Sequence, residues 1–170
     1  MNSEILGTIL IFLATLLLAY PLGKYIAKVF EGEKNITNFL NPVERFFFRI
    51  CGINPNESMN WKQFLKAMLT INMLWLVYAF FALIFQDKLP LNPDGNPSMS
   101  ADLAFNTAIS FVTNTNLQHY SGETGMTYLG QLVLMLFQFI SAGCGIAIAA
   151  VVFQAMKEKS AEKLGNFYHY

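Results

Sequence analysis

Between Ala101 and Val112 runs an apolar, helix-compatible stretch of twelve residues, with Ser100 placed as an N-cap and Asp102 in the first turn. Twelve helical residues reach about 18 Å, against a hydrocarbon core of roughly 30 Å. The stretch is therefore too short to cross a bilayer. It is followed by four polar residues, Thr113, Asn114, Thr115 and Asn116, and Gly122 and Gly125 bracket a return before a long apolar segment begins. A short helix that dips to mid-membrane and a polar strand that climbs out again describe a re-entrant loop. Irregular backbone at that depth persists only where protein buries it or water lines it.

The surrounding sequence supplies the membrane. Ile5–Leu22 is an eighteen-residue apolar run, Phe64–Phe85 a run of twenty-two, and Met126–Met156 is longer still. With 54% hydrophobic and 13% charged residues, the composition is that of an integral membrane protein. The first run lacks the basic leader of a signal peptide: Asn2, Ser3 and Glu4 precede it, and Lys24 and Lys28 follow. It reads as a retained helix reaching Phe30, with Pro21 a candidate kink. Seven Lys and Arg lie from Lys24 to Lys66 and three after Met156, but only Lys88 lies between Gln86 and Gly125. The positive-inside rule then gives three spans, the N-terminus and re-entrant loop outside, and both basic regions in the cytoplasm.

The expected fold is thus an all-α membrane protein, three transmembrane helices plus a re-entrant pore helix and filter loop. Its parts are an N-terminal transmembrane helix over residues 1–30, a cytoplasmic loop over 31–62, a helix–pore loop–helix unit over 63–158, and a cytoplasmic end over 159–170. Within 31–62, Asn41 as N-cap and Pro42 at the first helical position open a short helix with Phe46, Phe47 and Ile50 on one side, suited to the membrane interface or to packing in the loop. Pro90, Pro93, Gly95 and Pro97 mark the external linker. Asn72 reads as interhelical hydrogen-bonding glue, with an ion contact the second reading. Gln131, Gln138, Ala142, Gly145 and Ala149 form a stripe on the third span, read as a packing face against a neighbouring repeat before a lining of the ion path.

Cys51 and Cys144 are too far apart in topology to pair, and His119 and His169 stand alone, without metal-ligand spacing. No phosphate loop and no nucleophile–base pair is present, so the sequence offers no catalytic residues. What Thr113–Asn116 does offer is oxygen: four carbonyls, two hydroxyls and two amides. Such oxygens replace the water around a dehydrated cation. No carboxylate lies among them, which favours a monovalent ion over calcium or magnesium. The helix before them turns its C-terminal, negative end inward. Gln118 and Asn106 are placed to brace the strand or meet the ion, with Ser110 and Val112 as further support. An external amphipathic segment is the competing reading.

Six blocks carry a resemblance: Pro42–Arg49 (PVERFFFR), Met59–Gln63 (MNWKQ), Leu89–Pro93 (LPLNP), Asn106–Asn116 (NTAISFVTNTN), Tyr120–Thr124 (YSGET) and Leu164–Asn166 (LGN). Together they resemble the start of the potassium-binding, channel-like A subunit of the bacterial Kdp potassium-transporting ATPase. That resemblance implies an extra N-terminal helix and four potassium-channel-like repeats around one filter in the inner membrane. It implies potassium as the ion, at Thr113, Asn114, Thr115 and Asn116, with Gln118 tied to affinity. It also implies a P-type B subunit that hydrolyses ATP, a C subunit and a one-helix F peptide as partners. Membrane lipid is the remaining contact; no organic cofactor and no nucleic acid is expected. Leu117 departs from the Trp of some relatives, and His119 is a variable position. Since one repeat is present where the family has four, a fragment is expected. A homo-oligomeric channel-like pore and a non-conducting assembly module are the alternatives.

Overall fold

The computed structural model describes residues 3–117, 119–159 and 162–169. Among these, all regular structure is helical: α1 (Ser3–Phe30), α2 (Asn41–Cys51), α3 (Trp61–Ile84), α4 (Ala101–Val112) and α5 (Tyr128–Glu158), with a 3-10 turn at Ile36–Leu40. Three of them, α1, α3 and α5, are long and apolar enough to cross a membrane. The chain divides into two compact units, Met1–Asn54 and Pro55–Tyr170.

In the first unit, α1 continues through Pro21 for 28 residues. Its hydroxyls bond inward, as an apolar surrounding demands: Thr8 Oγ1 donates to the Glu4 carbonyl at 2.9 Å and Thr15 Oγ1 to that of Ile11 at 2.8 Å. The 3-10 turn was not expected. Asn35 caps it through Thr37 N–H at 3.0 Å, and Asn38 bonds back to the Asn35 amide. Because this turn runs straight into α2, Asn41 is already helical at φ −52°, and Leu40 takes the cap position the sequence suggested for Asn41. Pro42 still lies in the first turn, where a missing N–H costs nothing.

In the second unit, α4 packs against both α3 and α5, which also pack on each other. Small residues make this approach possible: Ala79 and Ala82 on α3 meet Ala104 and Ala108 on α4 in one buried cluster with Leu83, Phe111, Val133 and Phe137. In lipid, burial against a neighbour gains contact density rather than release from water, so close small-residue packing matters more than apolar area. Trp75, Tyr78 and Phe137 add edge-to-face contacts at 5.4 to 6.2 Å.

At the other end of α3, Asn60 accepts from Lys62 and Gln63 N–H while Gln63 bonds back to Asn60 N–H at 2.9 Å, a capping box that starts the helix three residues before Phe64. Gly165 O accepts from Met59 N–H at 2.7 Å and Met59 O from Leu164 N–H at 3.0 Å. Phe167 then stacks edge-on against Phe64 at 5.2 Å. The segment after α5 is thereby fastened to the start of α3.

Candidate functional site

The loop that contains α4 is held at both shoulders by one buried side chain. Gln86, 1% exposed just past the end of α3, donates from Nε2 to Pro97 O at 2.7 Å and Gly125 O at 3.0 Å. Its Oε1 accepts from Thr127 N–H at 3.3 Å. Asn96 adds a second cross-tie, donating to Met126 O at 3.0 Å. The entry to α4 and the entry to α5 are thus locked to the same point. Sequence gives no sign of this, because a Gln at the end of an apolar run looks like any surface residue.

α4 begins at Ser100, which sits in the cap position without capping: no helix N–H bonds to its side chain. Its hydroxyl instead bonds Asp102, and that bond, with the Leu103 and Asp102 N–H groups, holds the Asp102 carboxyl below its ordinary pKa. The negative charge stands at the positive end of the helix dipole.

Beyond Val112 the chain doubles back along the end of α4. Five consecutive N–H groups turn toward that helix: Thr113 to Ile109 O (2.9 Å), Asn114 to Phe111 O (3.2 Å), Thr115 and Asn116 to Ser110 O (2.8 and 3.1 Å), and Leu117 to Ser110 Oγ (2.7 Å). Alternating backbone handedness makes this possible. Asn114 and Asn116 have φ of 58° and 57°, while Thr113 has −85° and Thr115 is not among the positive-φ residues. Reversing every second residue turns successive peptide planes the same way, so N–H groups gather on one edge and carbonyls on the other. Asn is among the few non-Gly residues that accept the left-handed region at modest cost. Among the described residues, the carbonyls of Thr113, Thr115 and Asn116 accept no hydrogen bond, and they lie on an exposed strand.

The side chains of the strand are used within it. Thr113 Oγ1 donates to Ile109 O at 2.8 Å and pairs with Thr115 Oγ1 at 2.9 Å. Asn116 Nδ2 donates to Asn114 Oδ1 at 3.1 Å, and Asn116 Oδ1 accepts from Gln138 Nε2 of α5 at 2.8 Å. Both amide oxygens therefore already accept a bond, and the oxygens left facing outward are backbone carbonyls. Gln131 likewise holds the loop, donating to Gly122 O at 3.1 Å. The two glutamines of the α5 stripe act as braces of this loop within the chain.

Of the other residues singled out by sequence, Ser110 does the most: carbonyl and hydroxyl together take three of the five strand N–H groups. Val112 is half-buried and, with Thr113 and Asn114, lines a cavity of about 550 Å³ shared with Asn72 and Ser141. Asn106 is exposed on α4 and makes no hydrogen bond to the strand among the described residues. Gln118 lies outside the described residues. Asn72 donates to Met68 O of its own helix at 2.8 Å, so its bond is intrahelical and not the interhelical one expected. Among the described residues, no three His, Cys, Asp or Glu gather as metal ligands.

A family model described as potassium-transporting ATPase A subunit matches residues 9–170. The chain belongs to this family. Relatives named potassium-transporting ATPase potassium-binding subunit align along it: one from Flavobacterium johnsoniae is 63% identical over 100% of this chain, and one from Bacteroides fragilis 55% over 100%. One from Caldanaerobacter subterraneus is 46% identical over 89% of this chain. The chain spans 30% of the length of the first two relatives and 27% of the third. As a member of the A-subunit family, it carries the strand Thr113–Asn116 within the part all three share.

Proposed function

We propose that Thr113–Asn116 forms one strand of a potassium filter in the channel-like subunit of an ATP-driven potassium uptake complex. The observation that carries this reading is the one-sided strand. Five N–H groups are consumed by α4, and carbonyls are left on the opposite edge. A row of carbonyls without donors or carboxylates suits a dehydrated monovalent cation and repels anions. The C-terminal end of α4 adds negative potential beside it. Potassium is the ion, in keeping with the potassium-binding name of the relatives. Gln118 contributes to affinity, and Ser110 and Val112 support the strand.

In this reading α3, the α4 loop and α5 form one repeat of four, over residues 63–158, with α4 re-entering the membrane from outside. α1 is an additional span with its N-terminus outside, and the protein resides in the bacterial inner membrane. One strand encircles nothing, so three further strands complete the ring. A P-type B subunit hydrolyses ATP, and a C subunit and an F peptide complete the assembly. This chain's part is selection of the ion.

The test uses the full-length subunit in its complex, in cells that depend on it for potassium. Replacing Thr113–Asn116 by four alanines is expected to abolish rubidium uptake while the ATPase partner still co-purifies. Undiminished uptake by the assembled variant contradicts the proposal.

A further inference from the structure

The helix α2 takes no part in the filter, and its side chains are sorted by face. At 100° per residue, Val43, Phe46, Phe47 and Ile50 fall within an arc of about 100°, with Arg45 and Arg49 beyond one edge and Glu44 beyond the other. The four apolar residues are 52% to 66% exposed, and no residue of α2 is buried. The turn before it adds exposed Ile36 and Phe39. A contiguous apolar face of this size requires cover.

Its tether indicates what the cover is. Thr37 in the 3-10 turn hydrogen-bonds the Tyr25 hydroxyl at 3.2 Å. Tyr25 stands between Lys24 and Lys28 in the last turns of α1, the residue types that mark the headgroup level of a span. The turn is pinned there, and α2 follows it without an intervening residue. At 1.5 Å per residue, the eleven residues of α2 extend about 16 Å. Arginines on the polar side beyond the apolar arc match the phosphates found at that level, which their long stems can reach.

We propose that α2 lies in the membrane interface, with Val43, Phe46, Phe47 and Ile50 in the outer acyl layer and Arg45 and Arg49 among phospholipid phosphates. The occupant of the face is a phospholipid surface, not another protein segment. Such helices sit with their apolar face about 5–10 Å into the headgroup–acyl boundary.

The experiment takes the full-length subunit, assembled in its complex in phospholipid nanodiscs, with native cysteines replaced. Spin labels are placed at Phe47→Cys, Ile50→Cys and Arg45→Cys, with Val43→Cys as substitute for any apolar-face variant that fails to assemble. Collision rates with oxygen, which partitions into lipid, and with a water-soluble nickel chelate are then measured. Labels at 47 and 50 are expected to meet oxygen and be shielded from nickel, while the label at 45 meets nickel. Shielding of 47 and 50 from both reagents means protein covers the face; nickel access equal to that at 45 means water does. Either result overturns the proposal.

Discussion

Ser110 is the residue on which the strand depends most. Ser110→Ala keeps the two bonds to its carbonyl but leaves the Leu117 N–H without its partner, a loss of about 1–3 kcal/mol when the group is shielded. We expect the potassium concentration for half-maximal ATPase activity of the complex to rise about tenfold, the equivalent of ~1.4 kcal/mol. Ser110→Thr, which keeps the hydroxyl, is expected to restore it; equal values for Ala and wild type contradict the assignment. Asn114 poses a different problem, since its φ of 58° excludes branched side chains. Asn114→Val is expected to cost about 1–2 kcal/mol from backbone strain alone. Asn114→Gly relieves that strain and loses only the bond from Asn116, so rubidium binding to the complex should fall less for Gly than for Val. Thr107 tests packing rather than the ion. The residue is 1% exposed and its buried hydroxyl lacks a partner among the described residues, so Thr107→Val should leave the thermal stability of the purified complex unchanged or raised.

Among elements, α4 is where sequence and structure agree most closely. Its limits, Ala101 and Val112, follow from the apolar run and the abrupt change to Thr113-Asn114-Thr115-Asn116. The role of Asp102 in its first turn leads to a pH dependence. Its folded pKa is lowered, chiefly by the Ser100 hydroxyl, so the stabilisation is present above the unfolded value and is lost as pH falls through the lowered folded value. The protection of the α4 amides against hydrogen exchange, relative to their intrinsic rates at each pH, should therefore fall on acidification below the ordinary carboxylate range, and Asp102→Asn should flatten that response. Other elements were less legible. The 3-10 turn has five residues and no periodic pattern, and its start is visible only in Asn35 and Asn38. The cross-ties were hidden for a physical reason: Gln86 reaches partners 39 and 41 residues away, and Gln138 one 22 residues away, so no local pattern announces them. Asn72 was read toward a neighbouring helix because depth demands a partner, yet the carbonyl one turn back supplied it.

At the scale of the molecule, the proposed filter takes one strand from this chain, which spans 30% of the length of the relative from Flavobacterium johnsoniae. The three apolar helices were legible from run length, because lipid leaves few alternatives to a helix. The one-sided strand was not, since TNTN specifies oxygens without specifying where they point. Handedness at Asn114 and Asn116 decides that, and it puts the amides to bracing, so that the proposed ion falls to the carbonyls. The most direct measurement is an anomalous difference map from crystals of the complete complex grown in thallium or rubidium. A peak is expected within ligand distance of the Thr113 and Thr115 carbonyls, with the Asn114 and Asn116 amides turned aside to each other and to Gln138. No peak beside residues 113–117, or a peak held by those amide oxygens with the carbonyls turned away, would contradict it.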